Sequence, residues 1–170
     1  MLIALLAIVA VVVIYYFSVN NREVALRKES DAQRGKIETV HDTMWKTLKQ
    51  EAGVTEQYRE AFEKIYPELI SGRYSGDKDP LLKMITESNP EFDTSLYKHL
   101  MQSIDVQRAQ FQQSQERMLD IIREHSTLLE TIPAKWFLGR RPQIQYTVIS
   151  STLSKETMRT GIDDTVDLFK

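Results

Sequence analysis

His41, His99 and His125 are the side chains best suited to bind a metal or carry a proton at neutral pH, in a chain of 170 residues without cysteine. Zinc ligands usually come in closely spaced pairs, and no two of these histidines stand three or four residues apart. Glu116, Asp120 and Glu124 recur every four residues and share one helix face. That spacing suits the carboxylate helices of di-iron bundles, yet the Glu-x-x-His pair such sites use is missing. With Arg117 and Arg123 beside them, the three acids read better as a solvated, ion-paired stripe. "SGRYSG" lacks both the spacing and the Lys-Ser/Thr end of a phosphate loop, and Ser150 and Ser151 lack the glycines of a nucleophile elbow. The absence of cysteine removes thiolate metal sites, thiol nucleophiles and disulfides. The chain therefore reads as a non-enzyme, with no catalytic, metal or cofactor-binding residue and no cofactor.

The elements behind these residues begin with a charge-free stretch from Met1 to Val19 in which Ser18 is the one conventionally polar side chain. About 19 residues are close to what a helix needs to cross a bilayer core. No Lys or Arg precedes the run and it ends in Tyr15, Tyr16 and Phe17 rather than small residues, so it does not follow the pattern of a cleaved signal. It lacks the polar face of a core helix in a small domain. The expectation is a single-pass anchor over residues 1–20, with the three aromatics at the membrane interface. Arg22, Arg27 and Lys28, followed by Arg34 and Lys36, crowd its far flank, which by the positive-inside tendency places the body in the cytoplasm. The formal charge of -2 argues against nucleic acid as a partner.

Beyond the anchor, an all-α antiparallel bundle is expected over residues 21–133. Ile37, Val40, Met44 and Leu48 carry one apolar stripe, and Tyr58, Phe62, Ile65 and Leu69 repeat it. Together they suggest a first helix over about 22–70, with Gly35 and Gly53 as soft points, a restart capped by Thr55, and Pro67 near its end. A polar loop over 71–80 follows. Asp79 with Pro80 caps a short helix over 80–88, and Asn89, Pro90 and Asp93 introduce a helix over 93–131. In that helix Ile104, Phe111, Met118, His125 and Ile132 recur every seven residues, with Leu100, Gln107, Ser114, Ile121 and Leu128 as the companion position. The bundle seam is thus assigned to Leu100, Ile104, Phe111, Met118, Ile121, His125 and Leu128. Polar residues within it restrict register and association state at a cost in stability.

The segment "SNPEFDTSLYKHLMQSIDVQRAQFQQSQERMLDIIREHSTLLETIP", the anchor before it and the closing "TGIDDTVDLF" resemble the LemA family of single-pass membrane proteins. Arg108, Phe111, Gln115, Asp120, Arg123, His125 and Pro133 stand where that family carries periodic Arg, aromatic and amide positions before a proline. The resemblance implies an N-terminal transmembrane segment leading into a long up-and-down bundle, and it brings no catalytic residue. The first soluble helix departs from the family's pattern, as do Met118-Leu119 and His125-Ser126, which places the chain with divergent, phage-borne relatives.

Residues 134–170 change character. Ile144 to Ile149 alternate in a β-favouring run, which must lie along the bundle, pair with a copy of itself or capture a strand. Trp136, Phe137, Arg140 and Arg141 combine aromatic and basic character suited to a partner or the membrane surface. The acidic ending reads as a tail with a docking Leu-Phe. The function expected is interaction or scaffolding at a bacterial membrane, with the bilayer and an unknown protein as partners and self-association as a further contact. Two alternatives stand beside it: a signalling accessory that binds a small ligand near His125 and Gln107, and a phage envelope-assembly, virion or lysis component.

Overall fold

Helix α1 (Leu2–Ala52) runs for 51 residues without interruption, because it holds no proline and Gly35 is carried through in open space. The computed structural model describes residues 1–71 and 79–150. After α1 come α2 (Arg59–Ser71), α3 (Pro80–Ser88), α4 (Tyr97–Glu130) and α5 (Ala134–Leu138), with 3-10 turns at Glu56–Tyr58 and Thr94–Leu96. The protein is all-α, and no strand forms among the described residues. Most of the polar loop expected over 71–80 and the acidic ending lie outside the described residues.

The single helix expected over 22–70 is in fact two. Gly53 adopts φ 66° and ends α1, while Val54 N–H donates back to the Leu48 carbonyl. The left-handed turn at this helix end favours glycine, because a positive φ crowds any Cβ. Thr55 does not cap the next turn with its side chain; its amide and hydroxyl both face the Ser88 hydroxyl. Asp79 caps α3 by accepting from the Leu81 and Leu82 amides at 2.9 and 3.2 Å, and Pro80 occupies the first turn. Asp93 caps the 3-10 turn rather than α4 itself.

The chain folds as two compact units. The first joins Met1–Glu38 to Gln112–Thr147, and the second contains the described residues of Thr39–Phe111 with residues 148–150. In the first unit α1 and α4 run antiparallel: Ser30 faces Met118, and Gln33 donates to the Ser114 carbonyl at 3.0 Å. On α1 the buried positions Val19, Glu23, Leu26, Ser30, Gln33 and Ile37 follow alternating steps of four and three, which keeps one stripe facing α4. Past Thr131 the chain turns into α5, whose Ala134 and Leu138 are buried with Val19 and Leu129.

In the second unit α2 runs back along α1. Phe62 meets Trp45 with ring centres 5.2 Å apart, Tyr66 meets His41 at 4.5 Å, and the Arg59 guanidinium lies over Trp45. Leu81, Met84 and Ile85 of α3 and Leu100, Ile104 and Phe111 of α4 complete this core. Pro67 sits inside α2, which continues to Ser71.

Of the residues assigned to the seam, Leu100, Ile104, Phe111, Met118, Ile121 and His125 are buried, and the buried stripe shifts at its end. Leu129 is buried where Leu128 is only partly so, and Ile132 is exposed. An α-helix of 3.6 residues per turn drifts by about 20° per heptad against a strict seven-residue repeat, so the buried stripe advances by one position along α4.

Candidate functional site

Glu23 lies one helical turn beyond Val19 and is fully buried, as is His125 opposite it on α4. An acidic side chain is almost never buried without partners. Here His125 Nε2 lies 3.2 Å from Glu23 Oε1, Arg27 donates to the same oxygen, and Arg141 donates to Oε2. Arg141 also donates to the Asn20 side-chain oxygen at 2.6 Å. Burial pushes the Glu23 carboxyl up, but the hydrogen bonds from His125, Arg27 and Arg141, with the charge of Arg27, outweigh it and hold the carboxyl below the usual carboxylate range.

Three segments meet at this carboxylate: α1, α4 and the chain after α5. The extended run after Arg141 is fastened to the same two helices. Arg27 donates to the Pro142 carbonyl at 2.6 Å, Arg34 to the Gln145 carbonyl at 3.0 Å, and Tyr146 to Gln115 at 3.0 Å. The β-favouring run therefore lies along its own helices up to Thr147, held by side chains rather than by a strand ladder.

Two expectations about the basic flank change accordingly. Arg27 and Arg141 were assigned to the interface or to a partner; both are instead turned inward onto Glu23, because a buried carboxylate needs donors from every side. Arg22 pairs with Glu124 at the surface, and Lys28 is exposed. Tyr15 is half-buried, while Tyr16 and Phe17 are exposed. Trp136, Phe137 and Arg140 are exposed.

Two acids of the stripe are ion-paired, Asp120 with Arg123 and Glu124 with Arg22, and the neighbouring Arg117 pairs with Glu29 of α1. Arg117, Asp120, Arg123 and Glu124 line a surface hollow with Thr127, so its charges already have partners. His41 is engaged by Glu63 at 2.9 Å. Gln107 belongs to the second unit and donates to Thr47 Oγ1 at 2.7 Å.

The residues missed in the sequence are Glu23, Ser30 and Gln33, three of the polar members of the α1 stripe. Their signal is present: counting back from Ile37 by fours and threes reaches each of them and ends at Val19. Their polarity concealed it. Chemically the cluster is a closed ion network that fixes register, with every carboxylate oxygen of Glu23 occupied. No family model, curated protein or solved structure matches this chain.

Proposed function

We propose that the protein is a single-pass, membrane-anchored helical protein of LemA type that acts without catalysis, as an interaction or scaffolding protein at a bacterial membrane, with its body on the cytoplasmic side. The observation that carries this reading is the uncovered apolar surface of α1. The helix is long and apolar enough to cross a membrane, with a window of mean hydropathy 2.8 of which 6% is buried. A core helix would be covered by its own protein, and an exposed patch of this size calls for lipid. The engagement of Tyr15 and Val19, at the end of the apolar stretch, in a core with Leu129, Ala134 and Leu138 supports retention of the segment, since cleavage there would remove part of that core. The flank of basic residues supports the cytoplasmic side, and the resemblance of residues 88–133 supports the family type.

The test uses the chain's lack of cysteine. Lys83 is exposed on α3, and Lys83→Cys provides a single thiol. Protection from a membrane-impermeant thiol reagent in intact cells, labelling after lysis and retention in carbonate-washed membranes are the expected results. Labelling in intact cells overturns the cytoplasmic placement, and release by carbonate overturns the anchor.

A further inference from the structure

Helix α5 is held against the last turns of the apolar stretch, with the Phe137 ring centre 5.7 Å from that of Tyr16 and 6.3 Å from that of Tyr15. Ala134 and Leu138 point into the core with Val19 and Leu129. The other face of α5 is apolar and uncovered: Trp136 is 74% exposed and Ile132, just before the helix, 67%. Lys135 and Arg140 flank it and are exposed. This surface is continuous, through Phe137 and Tyr16, with the exposed apolar side chains of α1 up to Phe17.

We propose that Ile132, Trp136 and Phe137 form a second membrane contact, lying in the headgroup region beside the anchor, with Lys135 and Arg140 on anionic lipid headgroups. The proposal rests on α1 crossing the bilayer. Given that, the ring contacts fix the depth of α5: Tyr15 and Tyr16 end the apolar run, so a helix at their level sits at the boundary between acyl chains and headgroups. An exposed Trp with cationic neighbours suits that boundary, because the indole ring is amphipathic and the surface of anionic lipid attracts Lys and Arg. Arg141, three residues beyond the last turn of α5, is not part of this contact, since it is bound to Glu23. The second contact orients α1 about its own axis, which a lone spanning helix leaves free.

The full-length chain reconstituted in phosphatidylcholine vesicles, with and without phosphatidylglycerol, tests this by tryptophan quenching from lipids brominated at shallow acyl positions. The other tryptophan, Trp45, is 3% exposed within the second unit and serves as background. The expected result is a loss of emission in the wild type that is absent in Trp136→Phe, larger with phosphatidylglycerol and reduced in the Lys135→Glu, Arg140→Glu double variant. Carbonate-resistant protein whose Trp136 is unquenched by bromolipid and open to aqueous iodide overturns the contact while the anchor stands. Trp136 shielded from both quenchers overturns it in favour of a second copy or another protein on this face. Release of the protein by carbonate removes the anchor and the contact together.

Discussion

At the residue scale the decisive group is Glu23, a carboxylate buried one turn from the apolar stretch and held by His125, Arg27 and Arg141. Such a network contributes little when intact compared with what its breakage costs, because the remaining charges stay behind without a partner. Arg27 and Arg141 are each about one-third exposed, so water takes up part of the loss. Glu23→Gln is expected to destabilise the fold by about 2 kcal/mol near neutral pH, measured by thermal unfolding in detergent. The sign of its pH dependence follows from the lowered carboxyl. Stability from a depressed carboxylate is present above the unfolded group's titration and is lost as pH falls through the folded one. The gap in melting temperature between wild type and Glu23→Gln should therefore close on acidification below the usual carboxylate range. A gap constant with pH would show that the ionised carboxylate is not what Glu23 supplies.

At the element scale the separation of α1 from α2 depends on Gly53. A Cβ there would lie 2.8 Å from Asn89 Nδ2, which itself donates to the Ala52 carbonyl and helps close the helix end. Gly53→Ala adds a left-handed backbone penalty to this clash, together about 2 kcal/mol, and lowers the midpoint of thermal unfolding. An unchanged midpoint would mean that α1 ends without the left-handed residue. The α1–α4 pairing in the first unit is set differently, by polar groups placed at intervals along an apolar stripe: Glu23 with His125, Ser30 with Met118, Gln33 with the Ser114 carbonyl. Sliding α4 by one heptad would separate all of these at once, so the polar positions define the register that leucines alone would leave degenerate.

At the scale of the whole molecule, the apolar stretch has two roles that truncation separates. Removing residues 1–14 leaves Tyr15, Tyr16 and Val19 in place against Phe137, Leu129, Ala134 and Leu138. Removing residues 1–20 takes them away, along with the Asn20 partner of Arg141. Both chains should leave the membrane fraction, but the shorter one should be the less stable by about 3 kcal/mol, from one buried valine and the aromatic contacts. Equal melting temperatures for the two would show that residues 15–20 serve the membrane alone.

The sequence by itself determined what periodicity and composition express: the apolar stretch, the all-α class, the helix at 80–88 with its Asp79 cap, and the seam from Leu100 to His125. Each is a local pattern, in which hydrocarbon spacing or a capping side chain acts on its own neighbours. Only the tertiary structure decided where polar side chains are buried and which way the basic ones turn. Glu23 and Arg141 are 118 residues apart, and neither position distinguishes a solvated charge from a buried one. The break at Gly53 was legible as a glycine but not as a chain reversal, which required α2 to find the Trp45 face of α1. Arg27 and Arg141 face inward for the same reason: once Glu23 falls on the buried stripe, donors must come to it from wherever the chain passes, and the order of residues does not record that meeting.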